Sequence, residues 1–377
     1  MIKIPNDAIE IIEKLEAHGF EAYVVGGCVR DTIMDRSPND WDIATSATPS
    51  QVKKVFKRTY DTGIEHGTVT VIVDTEHFEV TTYRTENTYT DHRRPSGVNF
   101  VDDINTDLSR RDFTINAIAY HPKRGFIDPY GGIEDIKSKC IRCVGDANER
   151  FSEDALRILR AIRFSAQLDF IIDEPTTQAI IKLGHLLKFI SKERIRDEFT
   201  KTLLSNKPNT INNIQCLGLM KYISAELDSP DITIEFVSPN AKNLRYSELF
   251  LKHGISFDIA QKMLRDLRWD NQTIKQVGLI IKYYEYPITD KIEVKRLLRQ
   301  MGRNVFEEML QLRGLQNKFP EAYNECFTIA DLEISGEDVI ATGIPKGKII
   351  GEKLEMALEH VLKFPEDNKK EILLKLL

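Results

Sequence analysis

The feature that most constrains the fold is a change of hydrophobic pattern near residue 148 of this 377-residue chain. Before that point, alternating apolar segments typical of strands are mixed with amphipathic helical segments. After it, only helical patterns remain, with a Pro- and Asp-punctuated connection at residues 226–243. A chain of this length can form two to four domains. We therefore predict an α+β head followed by a long all-α remainder.

The head itself is predicted to alternate helices and strands. A helix at "NDAIEIIEKLEAHG" precedes a strand at "EAYVVGG", and another strand is predicted at "DWDIAT". Two more strands are predicted within "TVTVIVDTEHFEVTTY", around a turn near residues 74–76. The stretch "RTENTYTDHRRPSGVNFVDD" is polar with little periodicity, and long irregular loops of this kind are usually functional or mobile.

Two aspartates in "SPNDWDIAT" stand two residues apart, at Asp40 and Asp42. Alternate residues of a strand point to one face, so the two carboxylates are expected to project together. Like charges at such a distance raise the pKa of a carboxyl group unless a cation lies between them. Hard oxygen ligands of this kind select Mg²⁺ or Mn²⁺. The pair therefore predicts a metal site, although two solvated acids at a sheet edge would give the same pattern.

The residues around this pair indicate a site for phosphate. Gly26 and Gly27 form a tight turn between a strand and a helix, where backbone N–H groups can face an anion. Arg30 adds a guanidinium whose geometry suits phosphate. Glu79, on a later strand, supplies a third carboxylate that could help to activate an attacking hydroxyl group, unless it is an ordinary surface acid. Together these residues favour two-metal phosphoryl transfer.

Several longer segments resemble a known family. The stretch "VVGGCVRDTIMDRSPNDWDIAT" resembles the signature of the polymerase-β-like nucleotidyltransferase superfamily. Residues 110–120 ("RRDFTINAIAY"), 128–136 ("DPYGGIEDI") and 150–168 ("RFSEDALRILRAIRFSAQL") resemble, in the same order, motifs of class II tRNA nucleotidyltransferases, the CCA-adding enzymes. Residues 191–199 ("SKERIRDEF") are similar to the family's next helix. The tail stretch "LEISGEDVIATGIPKGKIIGEKL" resembles the family's C-terminal region less sharply.

The resemblance implies a fold and a division into four parts. We expect an N-terminal nucleotidyltransferase head with a small mixed β-sheet, followed by an all-α neck, body and tail. The neck would recognise the nucleotide base, and the tail would bind tRNA. The expected bounds are 1–147 for the head, 148–205 for the neck, 206–268 for the body and 269–377 for the tail.

The resemblance also implies an activity, with two alternatives. The expected enzyme adds CCA to the 3′ end of tRNA, using CTP and ATP in sequence without a template, in a metal-dependent transfer that releases pyrophosphate. Its partners would be these nucleotides and the 3′ end and acceptor or elbow region of tRNA, with no obligate protein partner. An enzyme that adds only the A stays open, and a bacterial poly(A) polymerase is a more distant alternative. The segment "GIEHGTVTV" follows the pattern of the tRNA enzymes rather than that of poly(A) polymerases.

The helix predicted in "SEDALRILRAIRF", with Ser152 as its N-cap, brings acidic and arginine side chains together. Steps of three residues turn a side chain back by about 60°. Asp154, Arg157 and Arg160 would therefore share one broad face, with Arg163 further round. Taken alone, this is also the pattern of an ordinary ion-paired amphipathic helix.

Family resemblance assigns base selection to Asp154 and Arg157, and their chemistry agrees. A carboxylate accepts hydrogen bonds from an exocyclic amine, and an arginine donates to ring acceptors. Cytosine and adenine offer this combination, whereas guanine and uracil present a carbonyl beside an N–H group. The pair would thus leave guanine and uracil with unmatched polar groups, each costing roughly 1–3 kcal/mol. We expect Glu153 to orient an arginine, with Arg157 as the first candidate.

Further arginines and acids complete the expected nucleotide site. Arg160 and Arg163 would support the site or reach phosphate, and Arg111 suits the triphosphate. Asp112 and Asn116 suit the ribose hydroxyl groups, which would favour ribonucleotides. Capping and core support at a helix start would explain the last two residues equally well.

Two further groups of candidates lie outside this site. The irregular loop contains Asp91, Arg93 and Arg94, and in the family a loop here is implicated in switching from C to A addition. It could also be a plain surface loop. Basic, glycine-punctuated segments of the tail would contact the backbone of a folded RNA, unless they are solvated helix faces. These RNA-binding candidates are Lys295, Arg296, Arg299, Lys346 and Lys348.

Composition bounds the environment of the protein. A net charge of −6 argues mildly against a nonspecific nucleic-acid coat. Five cysteines, an odd number and mostly far apart, favour reduced thiols in a cytoplasm over a disulfide framework. Cys140 and Cys143 are expected in a strand rather than at a metal or redox site. We expect no membrane span, since no apolar run is long enough, and no signal segment at the N-terminus.

Overall fold

The chain folds into two compact units. The computed structural model describes residues 2–86, 97–316 and 319–377. The first unit is Met1–Thr233 and the second is Ile234–Leu377. The boundary falls inside the Pro- and Asp-punctuated connection predicted from the sequence, where no helix is assigned between Leu227 and Lys242. The predicted division into head, neck, body and tail stays a prediction.

The first unit is built on a mixed seven-stranded sheet with two short two-stranded sheets beside it. The strands are β1 (Ala22–Val25), β2 (Asp42–Thr45), β3 (Thr59–Gly63), β4 (Thr68–Val73), β5 (Glu76–Thr82), β6 (Arg84–Glu86), β7 (Val98–Phe100), β8 (Ala119–His121), β9 (Gly125–Ile127), β10 (Cys140–Ile141) and β11 (Ile171–Ile172). The large sheet has the order β3-β4-β5-β2-β1-β8-β9. Its mixed character and its place in the first unit confirm the predicted fold class.

Strand β2 holds the centre of this sheet. It pairs antiparallel with β1 and parallel with β5. The apolar β1 is buried along its whole length, which explains why its sequence has no polar alternation. The two strands predicted in "TVTVIVDTEHFEVTTY" are confirmed as β4 and β5. The polar stretch predicted as irregular is not irregular throughout, since β6 and β7 pair antiparallel at its two ends.

Eleven α-helices are assigned among the described residues of the first unit. They are α1 (Asn6–Ala17), α2 (Gly27–Ile33), α3 (Pro49–Val55), α4 (Ile104–Ser109), α5 (Gly132–Lys137), α6 (Ala147–Glu153), α7 (Leu156–Leu168), α8 (Glu174–Leu183), α9 (Lys192–Leu203), α10 (Ile211–Cys216) and α11 (Met220–Ile223). Helices α7 and α9 pack against each other.

Helix α5 packs closely against a short segment of the chain that precedes β8. Residues Thr114–Asn116 form a short 3₁₀ helix that packs against α5. A Cβ atom at Gly132, the first residue of α5, would lie 2.1 Å from the carbonyl oxygen of Thr114, so only glycine permits this approach. Cys140 lies in β10, which confirms the strand predicted for it, whereas Cys143 lies outside that strand and makes an isolated bridge with Phe113. All five cysteines are free thiols.

The second unit is all-α, as predicted. Its helices are α12 (Lys242–Lys252), α13 (Phe257–Asp266), α14 (Asn271–Tyr283), α15 (Lys291–Met301), α16 (Arg303–Leu312), α17 (Gly336–Ala341), α18 (Lys348–Lys363) and α19 (Lys370–Leu376). One apolar cluster is centred on α15 and α16, and a second on α17 and α18. In the described part of the chain, no helix is both long and apolar enough to cross a bilayer.

Candidate active site

One cleft of the first unit, with a volume of about 640 Å³, collects most of the predicted site residues. Asp42 is the first residue of β2, and Asp40 lies two residues before it, outside the strand. The prediction of one strand carrying both aspartates was therefore wrong in its start. Both residues nevertheless line the same cleft, as does Glu79.

Negative charge is concentrated where β2 begins beside β5, and we call the cluster of Asp40, Asp42 and Glu79 the strand edge. The parallel register of β2 and β5 places Glu79 opposite Asp42. Burial, followed by the charges of Asp40 and Glu79, raises the pKa of Asp42 to about 6, against an opposing effect of Arg111. Among the described residues, no cationic side chain forms an ion pair with any of these three carboxylates. This edge therefore carries charge that the protein itself leaves unbalanced.

The donor set at this edge fits a divalent cation that shares its ligands with a substrate. Among the described residues, no three His, Cys, Asp or Glu side chains are grouped closely enough to hold a metal ion together. Mg²⁺, however, ordinarily takes one or two carboxylates and completes its shell with water and phosphate oxygens. The carboxylates of Asp40 and Asp42 lie close enough to repel each other, and they meet that requirement.

The glycine turn brings two arginines to the cleft. Gly26 has φ of +77°, and a Cβ atom there would lie 2.9 Å from Nη1 of Arg111. Its amide donates to the carbonyl of Ile118 at 3.1 Å, which ties the turn to the neighbouring strand region. Arg30, on α2, is 8% exposed and donates to Asp31 and to Oδ1 of Asn116. The turn thus needs glycine, because a side chain would displace Arg111.

Arg111 keeps donor capacity for an anion. Its Nη2 lies 3.2 Å from Asp107 and its Nη1 donates to the carbonyl of Asn116 at 3.4 Å. Its Nε is buried and has no partner among the described residues. A guanidinium has five N–H donors, so Nη1 and Nη2 each keep one N–H group that an anionic group of a ligand could accept.

Asp112 is tied to its surroundings on both oxygens. Its Oδ2 accepts from Nε of Arg160 at 2.8 Å and Nη2 at 2.6 Å. Its Oδ1 accepts from the amide of Phe113 and from Nδ2 of Asn116. Although burial alone would raise it, the charge of Arg160 and these hydrogen bonds hold the pKa of Asp112 down at about 2. A ribose hydroxyl group could reach this carboxylate only alongside the existing partners.

The helix predicted to start at Ser152 is two helices with a break. Ser152 lies inside α6, and Asp154 follows α6 in an extended conformation before α7 begins at Leu156. Oδ1 of Asp154 accepts the amide of Leu156 at 3.1 Å, which satisfies one free N–H at the start of α7. The prediction that Asp154 and Arg157 share one helix face is therefore wrong, because Asp154 precedes α7.

Each proposed base-selecting residue is held by an ion pair. The carboxylate of Asp154 meets the guanidinium of Arg194, on α9, at 2.7 and 3.2 Å. Nη1 of Arg157 donates to Glu153 at 2.6 Å, as expected for the orienting acid. Arg157 also donates to the carbonyls of Arg150 and Arg110. Both side chains line the cleft in fixed orientations.

Three arginines of the cleft lie around one aromatic ring. The guanidinium carbons of Arg30, Arg160 and Arg163 lie 5.2, 5.4 and 3.9 Å from the ring centre of Phe164. Glu198, on α9, pairs with Arg163 and lies 3.9 Å from Arg160. Cation–π contacts of this kind contribute about 0.5–2 kcal/mol each. The ring and the acid thus keep a dense group of positive charges in place.

Comparison with known proteins identifies the family. A family model described as "Poly A polymerase head domain" matches residues 22–142, "Probable RNA and SrmB- binding site of polymerase A" matches 169–229, and a model for domain 2 of tRNA nucleotidyltransferases matches 239–377. The CCA-adding enzyme of Lactobacillus delbrueckii subsp. bulgaricus is 38% identical over 376 residues, covering 96% of this chain and 95% of that protein. That of Lactococcus lactis subsp. lactis is 42% identical over 380 residues, with 96% and 94% covered. This chain belongs to the CCA-adding enzymes.

Solved structures agree with this membership of the CCA-adding enzymes. The crystal structure of the Bacillus stearothermophilus CCA-adding enzyme in complex with CTP superposes with a TM-score of 0.85 at 32% identity, covering 97% of this chain and 94% of that one. The Thermotoga maritima CCA-adding enzyme, complexed with tRNA, has a TM-score of 0.66 at 22% identity, with 98% and 93% covered. At that identity the second likeness shows the fold alone.

Some residues of this CCA-adding enzyme's cleft were missed from the sequence. Arg194, Glu198 and Phe164 were not singled out, although they fix Asp154, Arg163 and Arg160. The segment "SKERIRDEF" was recognised as similar to a family helix, and it contains two of the three. What the sequence lacked was any local signal that pairs residues 40 positions apart.

The predicted loop and tail candidates have different outcomes. Asp91, Arg93 and Arg94 lie outside the described residues. Lys295 is 1% exposed and its Nζ pairs with Glu325 at 2.9 Å, so the prediction that it contacts RNA is corrected: its charge is buried and already balanced.

The other basic candidates of the tail lie nearer the surface. Arg296 pairs with Glu293 and Glu359, and Arg299 pairs with Glu355. Lys346 is exposed. Lys348 is 93% exposed and lies 3.5 Å from Glu352. For these four residues, contact with a phosphate backbone stays a prediction.

Proposed function

We propose that this protein adds CCA to the 3′ end of tRNA, using CTP and ATP in turn and no nucleic-acid template. The observation that carries the proposal is the combination found in one cleft. Unbalanced carboxylates lie at its strand edge, and an aspartate and an arginine suited to cytosine and adenine lie on its helical side. Similarity to CCA-adding enzymes over nearly the whole chain supports the same proposal.

The reaction joins the tRNA 3′-hydroxyl group to the α-phosphate of the nucleotide. The oxygen–phosphorus bond forms as the bond to the β-phosphate oxygen breaks, and pyrophosphate leaves. Asp40 and Asp42 would hold the divalent cation, which we propose is Mg²⁺, with Mn²⁺ as the alternative. When bound, that cation would lower the pKa of the attacking hydroxyl group and offset charge on the triphosphate. Glu79 would help to activate the hydroxyl group by accepting its proton.

The arginine-lined part of the cleft would bind the triphosphate. Arg30 and Arg111, at the Gly26-Gly27 turn, present guanidinium groups that suit phosphate oxygens. Gly27 carries no side chain, and Nη2 of Arg30 lies 3.6 Å from where a Cβ atom would be, so the turn and this guanidinium would meet a phosphate together. Arg160 and Arg163 would support this part, and Asp112 would hold a ribose hydroxyl group.

Base selection would use Asp154 as acceptor and Arg157 as donor. The carboxylate would accept from the exocyclic amine of cytosine or adenine while it keeps its bond to Arg194, because each carboxylate oxygen accepts more than one hydrogen bond. Uracil or guanine would place a carbonyl against this carboxylate. Since Glu153 and Arg194 fix both groups before the nucleotide arrives, little ordering is left for binding.

The second unit would contact the backbone of the tRNA acceptor or elbow region. The candidates are Arg296, Arg299, Lys346 and Lys348, which would read shape rather than sequence. The specificity-switch role expected for Asp91, Arg93 and Arg94 stays part of this proposal on the family resemblance alone. We also propose a cytoplasmic location, which the five free thiols support, and no obligate protein partner.

One assay tests the proposal against its rivals. The protein and Mg²⁺ are incubated with tRNA transcripts that end before CCA, after the first C and after the second C, each with labelled CTP or ATP. We expect two C residues and then one A. Failure to add C to the first transcript, with A added to the third, would indicate an A-adding enzyme. Long A tails would indicate a poly(A) polymerase.

A further inference from the structure

The carboxamide of Asn116 lies between the two halves of the nucleotide site. It is 7% exposed. Its Oδ1 accepts from Nη1 of Arg30 at 2.6 Å, and its Nδ2 donates to Oδ1 of Asp112 at 3.1 Å. A guanidinium can only donate and an ionised carboxylate can only accept, so these two partners fix the orientation of the amide. Each polar group of Asn116 thus has a partner and keeps one further hydrogen-bonding position, so the expectation that it contacts ribose stays a prediction.

The hydrogen bonds continue from Asn116 to the helical side of the cleft. The other carboxylate oxygen of Asp112 accepts from Arg160, at 2.8 Å from Nε and 2.6 Å from Nη2. Arg30 projects from α2 at the glycine turn, and Arg160 projects from α7, which begins two residues after Asp154. Three consecutive links thus join the phosphate-facing helix to the helix that follows the base-selecting aspartate.

A neutral amide is required at this position. An aspartate at residue 116 would satisfy Arg30 but would place a second carboxylate against Asp112, about 3 Å away. An alanine would leave Arg30 and Asp112 each with a lost partner in a buried setting. Only a side chain with one donor and one acceptor on a short stem serves both neighbours at these distances.

We propose that Asn116 is a positioning residue that couples the placement of the triphosphate by Arg30 to the placement of α7 by Arg160. This inference rests on the proposed function. Its consequence is that the two arginines act as a unit: disturbing either one already disturbs the geometry that the other depends on. Residues linked in one hydrogen-bond network show non-additive effects of this kind.

A double-mutant cycle tests the coupling. Arg30→Lys and Arg160→Lys each keep the charge but lose the planar fork of the guanidinium. The kcat/KM for CTP on a tRNA lacking CCA is measured for each variant and for both together. We expect the double variant to lose about three- to tenfold less than the product of the single losses. In the Asn116→Ala background this difference is expected to disappear.

Two further variants separate positioning from folding. Asn116→Asp keeps the size of the side chain and the partner for Arg30, and is also expected to abolish the coupling. Thr114→Val, in the same 3₁₀ helix, removes the buried hydrogen bond to Asp135 without touching either arginine, and should keep the coupling. Additive losses in the native background, or coupling that survives both Asn116 variants, would overturn the inference. CTP incorporation by the native protein tests the proposed function separately.

Discussion

Two parts of the cleft balance their charges in opposite ways. One is the strand edge, and the other is a helical wall formed by Asp112, Asp154 and the arginines of α7 and α9. At the edge, Asp40, Asp42 and Glu79 face the cleft without a cationic partner among the described residues. On the wall, Asp112 pairs with Arg160, and Asp154 pairs with Arg194. An unbalanced group gains most when a ligand of opposite charge arrives, whereas a balanced group keeps its geometry whether or not a ligand is present.

The acidities of two aspartates express this difference. Burial and neighbouring carboxylates raise the pKa of Asp42 to about 6. Asp112 is more deeply buried, yet Arg160 and its hydrogen bonds hold its pKa at about 2. The strand edge can therefore bind a cation, whereas the helical wall keeps its side chains in the geometry that would select a base. Four changes should break or sharpen this contrast.

The largest effect is expected for Asp42→Asn. Loss of one charge at the edge should lower single-turnover addition of C to tRNA on the order of 10³-fold, because the donor set for the cation is destroyed. The matched control is Asp61→Asn on the edge strand β3, where the ion pair with Lys53 is half-exposed and worth little. Equal rates for Asp42→Asn and the native protein would contradict the role of this edge.

On the wall, Arg194→Ala should damage selection more than speed. Without Arg194, Asp154 keeps only the hydrogen bond from the amide of Leu156, so its carboxylate is less well oriented. The preference for CTP over UTP should therefore fall about tenfold while the rate with CTP falls less. Nucleotide competition on a tRNA lacking CCA measures both quantities. Arg196→Ala, two residues along α9 and paired to Asp197, is the control and should keep the preference. A uniform loss of rate with unchanged preference would contradict a positioning role.

Divalent cations should stabilise the native protein against thermal unfolding but not the Asp42→Asn variant. Saturating Mg²⁺ is expected to raise the midpoint of thermal unfolding of the native protein by roughly 2–8 °C, because ligand binds only the folded state. Asp42→Asn should show little of this shift, and Ca²⁺ or Mn²⁺ tests how selective the edge is. A shift of the same size in both proteins would place the cation elsewhere.

The smallest effect is the dependence of stability on pH. Since the folded state raises the pKa of Asp42 from 3.8 to about 6, the proton adds stability at low pH that is lost as pH rises through this range. With divalent cations removed, Asp42→Asn should therefore gain on the native protein by roughly 2–4 °C in unfolding midpoint between pH 4 and pH 7. A constant difference across that range would mean that folding does not raise the pKa of Asp42.

Much of the strand edge could be predicted from the sequence, because local patterns determine it. Asp40 and Asp42 stand two apart beside an apolar run, and Glu79 lies on a strand with clear alternation. The parallel pairing that sets Glu79 opposite Asp42 is a matter of topology, and it joins two strands that the pattern had already located.

The helical wall was harder to predict, because its contacts join distant residues. Nothing near Asp154 indicates Arg194 as its partner, and the continuous helical pattern hid the break before α7. That break contains neither proline nor glycine, and it is held by the hydrogen bond between Asp154 and the amide of Leu156. The prediction that Lys295 contacts RNA was wrong for the same reason, since its partner Glu325 lies 30 residues away.

The central claim is that the edge performs the transfer while the wall chooses the nucleotide. It is tested most directly by the ratio of kcat/KM for CTP over UTP on a tRNA lacking CCA, measured for the native protein and for Asp154→Ala. We expect the ratio to fall at least about tenfold in the variant, because uracil's carbonyl then meets no carboxylate. A fall in rate with both nucleotides and an unchanged ratio would contradict the account.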